Sequence, residues 1–171
     1  IVNQQVKMKY CSINGESVTN LDITDRGLAY GDGLFTTAKI VNGRVELLNQ
    51  HVNRLVGGCK KLGISLPILS TQDNLTKTLS KISKDYTLAV LKVMITAGSG
   101  GRGYSRQGLN HDATNVIVMV FDYPPNYDEL AESGISLGVS RQKIAISPML
   151  SGIKHLNRLE QVLLRQELDN R

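Results

Sequence analysis

The sequence predicts an α+β protein of 171 residues. Three observations carry that expectation. An Asn-Gly dipeptide joins two β-rich segments, the apolar period switches from strand-like to helical at Asn49, and two later runs are almost continuously apolar. A hydrophobic share of 41% and a charged share of 20% belong to a globular chain rather than a disordered polyelectrolyte.

Residues 7–13 alternate and run into Asn14-Gly15, which predicts a strand entering a tight turn. Leu34 to Val41 is rich in Thr, Ile and Val, and is followed by Asn42-Gly43 and then Arg44 to Leu48. That is a hairpin signature, because Asn and Gly tolerate the positive φ angles of both central positions of a type I′ turn. From Asn49 onward, Val52, Leu55, Val56, Cys59 and Leu62 share one helical face, and Gly63 supplies the stop. A second helix is expected from Thr71 to Ser83. Leu88 to Ala97 and Asn115 to Phe121 read as buried central strands.

Between those strands, Gly98-Ser99-Gly100-Gly101-Arg102-Gly103-Tyr104 is too rich in glycine for either regular element. Asp122-Tyr123-Pro124-Pro125-Asn126 marks a boundary. Ile135 to Val139 is expected to begin another strand. Ser151 to Lys154 is expected to lead into a helix with Leu156, Leu159, Val162 and Leu163 on one face. The expected organisation is an N-terminal α+β domain at 1–122, a linker at 123–129, and the beginning of a second, incomplete domain at 130–171.

Composition excludes several functional classes. There is no apolar run of about 18 residues, the length a membrane span needs. Ile1 to Tyr10 is polar and mixed and lacks the apolar core of a secretory signal. Two cysteines, Cys11 and Cys59, make neither a disulfide framework nor a four-ligand zinc site, so a reducing, cytoplasmic setting without metal is expected. The lack of Trp and an aromatic share of 5% argue against a base-stacking nucleic-acid surface. The net charge of +5 is spread along the chain, with no basic run longer than Lys60-Lys61. Such an excess reads as solvated faces or as a site for a small anion.

Four segments carry candidate chemistry, and each has a structural reading beside the functional one. Asp25-Arg26-Gly27-Leu28-Ala29-Tyr30-Gly31-Asp32-Gly33-Leu34-Phe35 reads as a shaped turn feeding a strand, with Asp25 and Arg26 as a local ion pair; it matches no phosphate-loop pattern. His51 and Arg54 stand three apart on the polar side of a helix, as surface charge or as an anion site built on the planar guanidinium. The loop Gly98–Tyr104 is a mobile hairpin, or a close backbone approach to a ligand with Arg102 and Tyr104 pointing into it. Lys154 is one of 11 lysines. At a junction leading into a helix it is a surface residue, or an amine whose partial desolvation makes it a nucleophile or base.

Taken in order, 25–35, Leu48-x-x-His51-x-x-Arg54-Leu55, Gly100 to Tyr104 and Gly152-Ile153-Lys154-His155-Leu156-Asn157-Arg158-Leu159-Glu160-Gln161-Val162 resemble the pyridoxal-phosphate enzymes of fold type IV. That group holds branched-chain and D-amino-acid aminotransferases and aminodeoxychorismate lyases. The resemblance implies an N-terminal α/β sandwich-like domain followed by a catalytic domain, pyridoxal 5′-phosphate as cofactor, and a homodimer. Phe35-Thr36-Thr37-Ala38, Gly98–Ser105 and Ile153–Gln161 look most like the lyase form; similar aminotransferases usually carry Glu where Thr36 stands. The lyases release 4-aminobenzoate and pyruvate from the dicarboxylate 4-amino-4-deoxychorismate in folate biosynthesis.

Under that resemblance Lys154 matches the lysine that forms the Schiff base with the cofactor, and Arg54 the arginine that holds its phosphate. Arg102 and Tyr104 match a loop near the substrate carboxylates. Thr36 or Thr37 matches the region that donates a proton to the departing enolpyruvate. The resemblance also implies a longer second domain, which supplies the acidic partner of the pyridine nitrogen, so 171 residues alone are expected to be weakly active or inactive. The alternatives are an aminotransferase of the same fold and a non-catalytic interaction module.

Overall fold

A computed structural model describes residues 6–67, 71–110 and 113–170. Five strands form one antiparallel sheet. They are β1 (Met8–Ile13), β2 (Gly33–Val41), β3 (Arg44–Val45), β4 (Leu88–Thr96) and β5 (Asn115–Asp122), in the spatial order β1-β5-β4-β2-β3. The helices are α1 (Arg26–Tyr30), α2 (Leu48–Leu62), α3 (Gln72–Ser83), α4 (Tyr127–Ser133) and α5 (Leu159–Asp169). The expected α+β class and its central strands are present.

Both Asn-Gly turns have the expected backbone. Asn14 and Gly15 sit at φ 54° and 88°, and Asn42 and Gly43 at 49° and 75°. The first closes a two-residue hairpin between Ile13 and Glu16, and the second joins β2 to β3. The strand expected over Arg44 to Leu48 is shorter, because Leu47 takes a left-handed conformation at φ 51° and turns the chain directly into α2.

Alternation along the strands sorts their side chains onto two faces. Leu34, Ala38 and Ile40 of β2, Ala89, Leu91, Val93 and Ile95 of β4, and Val116, Val118 and Val120 of β5 are buried on one face. α2 covers that face with Val52, Leu55 and Cys59, and α3 packs beside it with Leu75 and Leu79. Each fully buried aliphatic side chain contributes roughly 1.5–3 kcal/mol. Gly58 permits the close approach of α2 to β2, since an added Cβ would press on Leu34. The opposite face, including Phe35, Thr37, Val90, Lys92, Met94 and Met119, stays partly open.

Two expectations fail. Ile135 to Val139 forms no strand, and Ile135, Leu137 and Val139 are exposed. Their alternation is strand-like, but a strand exists only where another backbone pairs with it, and no described segment does. Leu156 lies before α5 rather than on it, and Leu159, Val162 and Leu163 point to solvent. α4 begins within the segment 123–129 and is a further short helix that the sequence reading left out.

Candidate functional site

The site forms along the outer edge of β2. At its start, the segment around Lys154 adds a short antiparallel bridge, Leu34 to His155. Phe35 N–H donates to the Lys154 carbonyl at 2.9 Å, and Leu156 N–H to the Gly33 carbonyl at 3.0 Å. Ile153 inserts into the core behind this bridge. At the other end β3 covers Ile40 and Val41. Among the described residues no strand covers this edge at Thr36–Ala38.

The bridge puts Lys154 on the Phe35 side of the sheet. Its Nζ lies 4.6 Å from the Phe35 ring centre, with the Arg158 guanidinium 5.3 Å and Lys92 Nζ 5.6 Å from the same ring. Such contacts with an aromatic face stabilise a cation without a counter-charge. Burial, together with the positive charges of Arg158 and Arg54, holds the Lys154 amine below the ordinary lysine value.

The other side of β2 carries a second cluster. Thr36 is 0% exposed. Its hydroxyl lies 2.7 Å from His51 Nδ1 and accepts a hydrogen bond from Arg54 Nη2, which is itself 3.1 Å from His51 Nδ1. Because His51 and Arg54 lie three apart on α2, they meet Thr36 together. Burial and the Arg54 charge lower the His51 pKa.

The glycine loop is built differently from the expected ion pair. Asp25 does not pair with Arg26. Fully buried, it caps α1 by accepting from Gly27 N–H at 2.8 Å and Leu28 N–H at 3.2 Å, and it also accepts from Thr96 Oγ1 at 2.6 Å and Asn115 Nδ2 at 2.8 Å. Arg26, 3% exposed, turns the other way and pairs with Asp32 at 2.8 Å. It also donates to the carbonyls of Gly103, Tyr104 and Ser105 at 3.0, 2.9 and 3.4 Å. Arg106 forms the second ion pair of Asp32 and donates to the Leu62 carbonyl at 2.5 Å. Burial pushes the Asp32 carboxyl up, but hydrogen bonds from Arg106 and Arg26 more than offset it and hold the group below its ordinary value. A cavity of about 440 Å³ opens beside this cluster, lined by Tyr30, Asp32, Tyr104, Arg106, His155 and Asn157 among others.

The structure thus brings Lys154, Arg54 and Thr36 to one strand edge, and places Thr37 exposed on the Phe35 face. It does not bring Arg102 or Tyr104 into contact with them. Both are exposed; Tyr104, 87% exposed, packs edge-on against Tyr30 with ring centres 5.5 Å apart. The sequence reading missed Phe35, Lys92 and Arg158 as neighbours of Lys154. It also missed Asp32 and Arg106 as the partners of the buried arginine. The spacing Asp-Arg-x5-Asp held the signal for Asp32; nothing local pointed to Arg106.

The family model for amino-transferase class IV matches residues 33–171, which covers the strand edge and the Lys154 segment together. The chain belongs to the class IV aminotransferase family. It is 38% identical over 157 residues to the aminodeoxychorismate lyase of Vibrio harveyi, covering 92% of this chain and 56% of that protein. It is 27% identical over 160 residues to a putative branched-chain-amino-acid aminotransferase of Methanocaldococcus jannaschii, covering 90% and 53%. The crystal structure of 4-amino-4-deoxychorismate lyase from Pseudomonas aeruginosa superposes with a TM-score of 0.78 at 36% identity, over 92% of this chain and 56% of that one. The fold is that of the class IV enzymes, and the chain spans about half the length of these relatives. Among the described residues no helix is long and apolar enough to cross a membrane, and no His, Cys, Asp and Glu cluster could hold a metal ion.

Proposed function

We propose that the protein acts as a pyridoxal-phosphate-dependent lyase that converts 4-amino-4-deoxychorismate to 4-aminobenzoate and pyruvate, as a cytoplasmic homodimer. The observation that carries this reading is the convergence of Lys154, Arg158 and Arg54 at the open edge of β2. The charged neighbours that act on Lys154 are both cationic. A lysine with a lowered proton affinity beside unneutralised arginines fits a group that is both an aldehyde and a phosphate. The likeness to the Vibrio and Pseudomonas lyases supports the lyase reading within the family.

When bound, pyridoxal phosphate supplies the electron sink that makes the proton on the amine-bearing carbon removable. Lys154 would hold the group through Nζ and, once the substrate amine has released it as a neutral amine, would take that proton. Its lowered pKa raises the fraction able to do so near neutrality. Arg54 holds the phosphate. Thr37, on the Phe35 face with its side chain exposed, delivers a proton to the departing enolpyruvyl oxygen, whereas the Thr36 hydroxyl is committed to His51 and Arg54. Arg102 and Tyr104 receive the substrate carboxylates, on a loop whose backbone Arg26 fixes. The domain division at 1–122, 123–129 and 130–171 belongs to the same proposal, with the lysine on the second unit and the arginine on the first.

Product analysis tests the reading. Incubation with aminodeoxychorismate should release pyruvate and 4-aminobenzoate in equal amounts, at the weak rate expected of these 171 residues alone, and lose this activity in Lys154→Ala. The likeness to aminotransferases favours a second reading. A half-reaction with an amino donor and a 2-oxo acid, without pyruvate release from aminodeoxychorismate, would establish that reading instead.

A further inference from the structure

Resting on the assignment of Arg54 to the cofactor phosphate, we infer that His51 is a positioning residue which, with Thr36, fixes the Arg54 guanidinium before an anion arrives. The hydrogen-bond directions around the cluster follow from donor chemistry. A guanidinium only donates. Arg54 Nη2 lies 3.1 Å from His51 Nδ1, a hydrogen bond in the tautomer whose Nδ1 carries no hydrogen and a donor facing a donor in the other, which favours the first. The neutral ring therefore holds its proton on Nε2. With Nδ1 an acceptor, the Thr36 hydroxyl 2.7 Å away donates to it, and its oxygen remains to accept from Arg54. Arg54 donates to Thr36, and the single lone pair of Nδ1 is shared between the Thr36 hydroxyl and Arg54 Nη2.

The arrangement does something specific for an arginine on an exposed helix face. A free arginine loses substantial rotamer freedom when a ligand immobilises it. Here the ordering is in place beforehand, and both anchoring bonds use Nη2. Among the described residues Nε and Nη1 have no partner, which leaves them for an anion. Thr36 is an effective anchor because it is 0% exposed and fixed in the centre of β2, and His51 is half-buried on the first turns of α2. A His51 ring carrying hydrogen on Nδ1 would set a donor against Nη2 and remove the His51 anchor, leaving the Thr36 oxygen as the acceptor for Arg54.

Binding of pyridoxine 5′-phosphate tests this, because the probe carries the phosphate but no aldehyde and so bypasses Lys154. Arg54→Ala sets the scale by weakening binding. Thr36→Val and His51→Gln should each weaken it roughly tenfold, the scale of one hydrogen bond to a charged group. Thr36→Ser keeps the hydroxyl, and His51→Asn places an amide oxygen near the Nδ1 position; both should bind within about twofold of the wild type. Nitrogen NMR of the unmutated protein should show His51 protonated on Nε2 alone. Wild-type binding by Thr36→Val and His51→Gln, or a hydrogen on Nδ1, overturns the inference and leaves Arg54 as the phosphate residue. Unchanged binding by Arg54→Ala overturns that assignment and the inference with it.

Discussion

Arg26→Met removes a buried cation whose partners are all known. Its Nε reaches Asp32 at 2.8 Å, Nη1 and Nη2 hold the carbonyls of Gly103, Tyr104 and Ser105, and the guanidinium lies 5.0 Å from the Tyr30 ring centre. Removing one member of a buried ion pair costs about 3–5 kcal/mol. Two features place this case at the low end. Asp32 keeps Arg106, and the three carbonyls belong to exposed residues that water can reach. A loss of about 3 kcal/mol is expected, a large part of a domain stability of about 5–15 kcal/mol. Arg106→Met, about a third exposed, should cost about 1 kcal/mol. Urea unfolding with an unchanged slope measures both, and hydrogen exchange across 99–107 should accelerate in Arg26→Met. A loss below about 1 kcal/mol with unchanged loop exchange would show that Arg26 does not tie down the loop bearing Arg102 and Tyr104.

Other consequences follow from the same structure. Burial and the charges of Arg158 and Arg54 lower the Lys154 pKa; Arg158→Gln removes one of these causes, so the pH midpoint for pyridoxal-phosphate capture, which needs the neutral amine, should move upward. Absorbance titration across pH measures it, and an unmoved or lowered midpoint would contradict the electrostatic account. Gly98 sits at φ 82°, and an added Cβ would overlap the Ala113 carbonyl. Gly98→Ala should therefore cost about 2 kcal/mol or more in urea unfolding. Burial pushes the Cys59 thiol up to about 12, so a thiol reagent should modify half-exposed Cys11 in the native protein and reach Cys59 only after denaturation.

What the sequence revealed was mostly local. Asn42-Gly43 and the stripe Val52, Leu55, Cys59 specify a turn and a helix through a few adjacent residues, and β2 and α2 formed where those signals placed them. The neighbours of Lys154 were hidden because the bridge from Leu34 to His155 spans most of the chain, and no spacing rule encodes such a pairing. The family pattern marked Lys154 and Arg54; the tertiary fold supplied Phe35, Arg158 and Lys92 around the amine. Asp25 and Arg26 misled because adjacent opposite charges look like partners, whereas consecutive side chains at a helix start point apart. Ile135 to Val139 misled because alternation records a preference for a sheet, and pairing requires a second backbone.

The account stands on Lys154 as the residue that holds pyridoxal phosphate. Incubation with the cofactor, reductive trapping with borohydride and peptide mapping test it most directly. The prediction is a pyridoxyl label on the peptide carrying Lys154, with Arg54→Ala lowering the yield at subsaturating cofactor. A label on another lysine, Lys92 included, or equal labelling in Lys154→Ala would contradict the central claim.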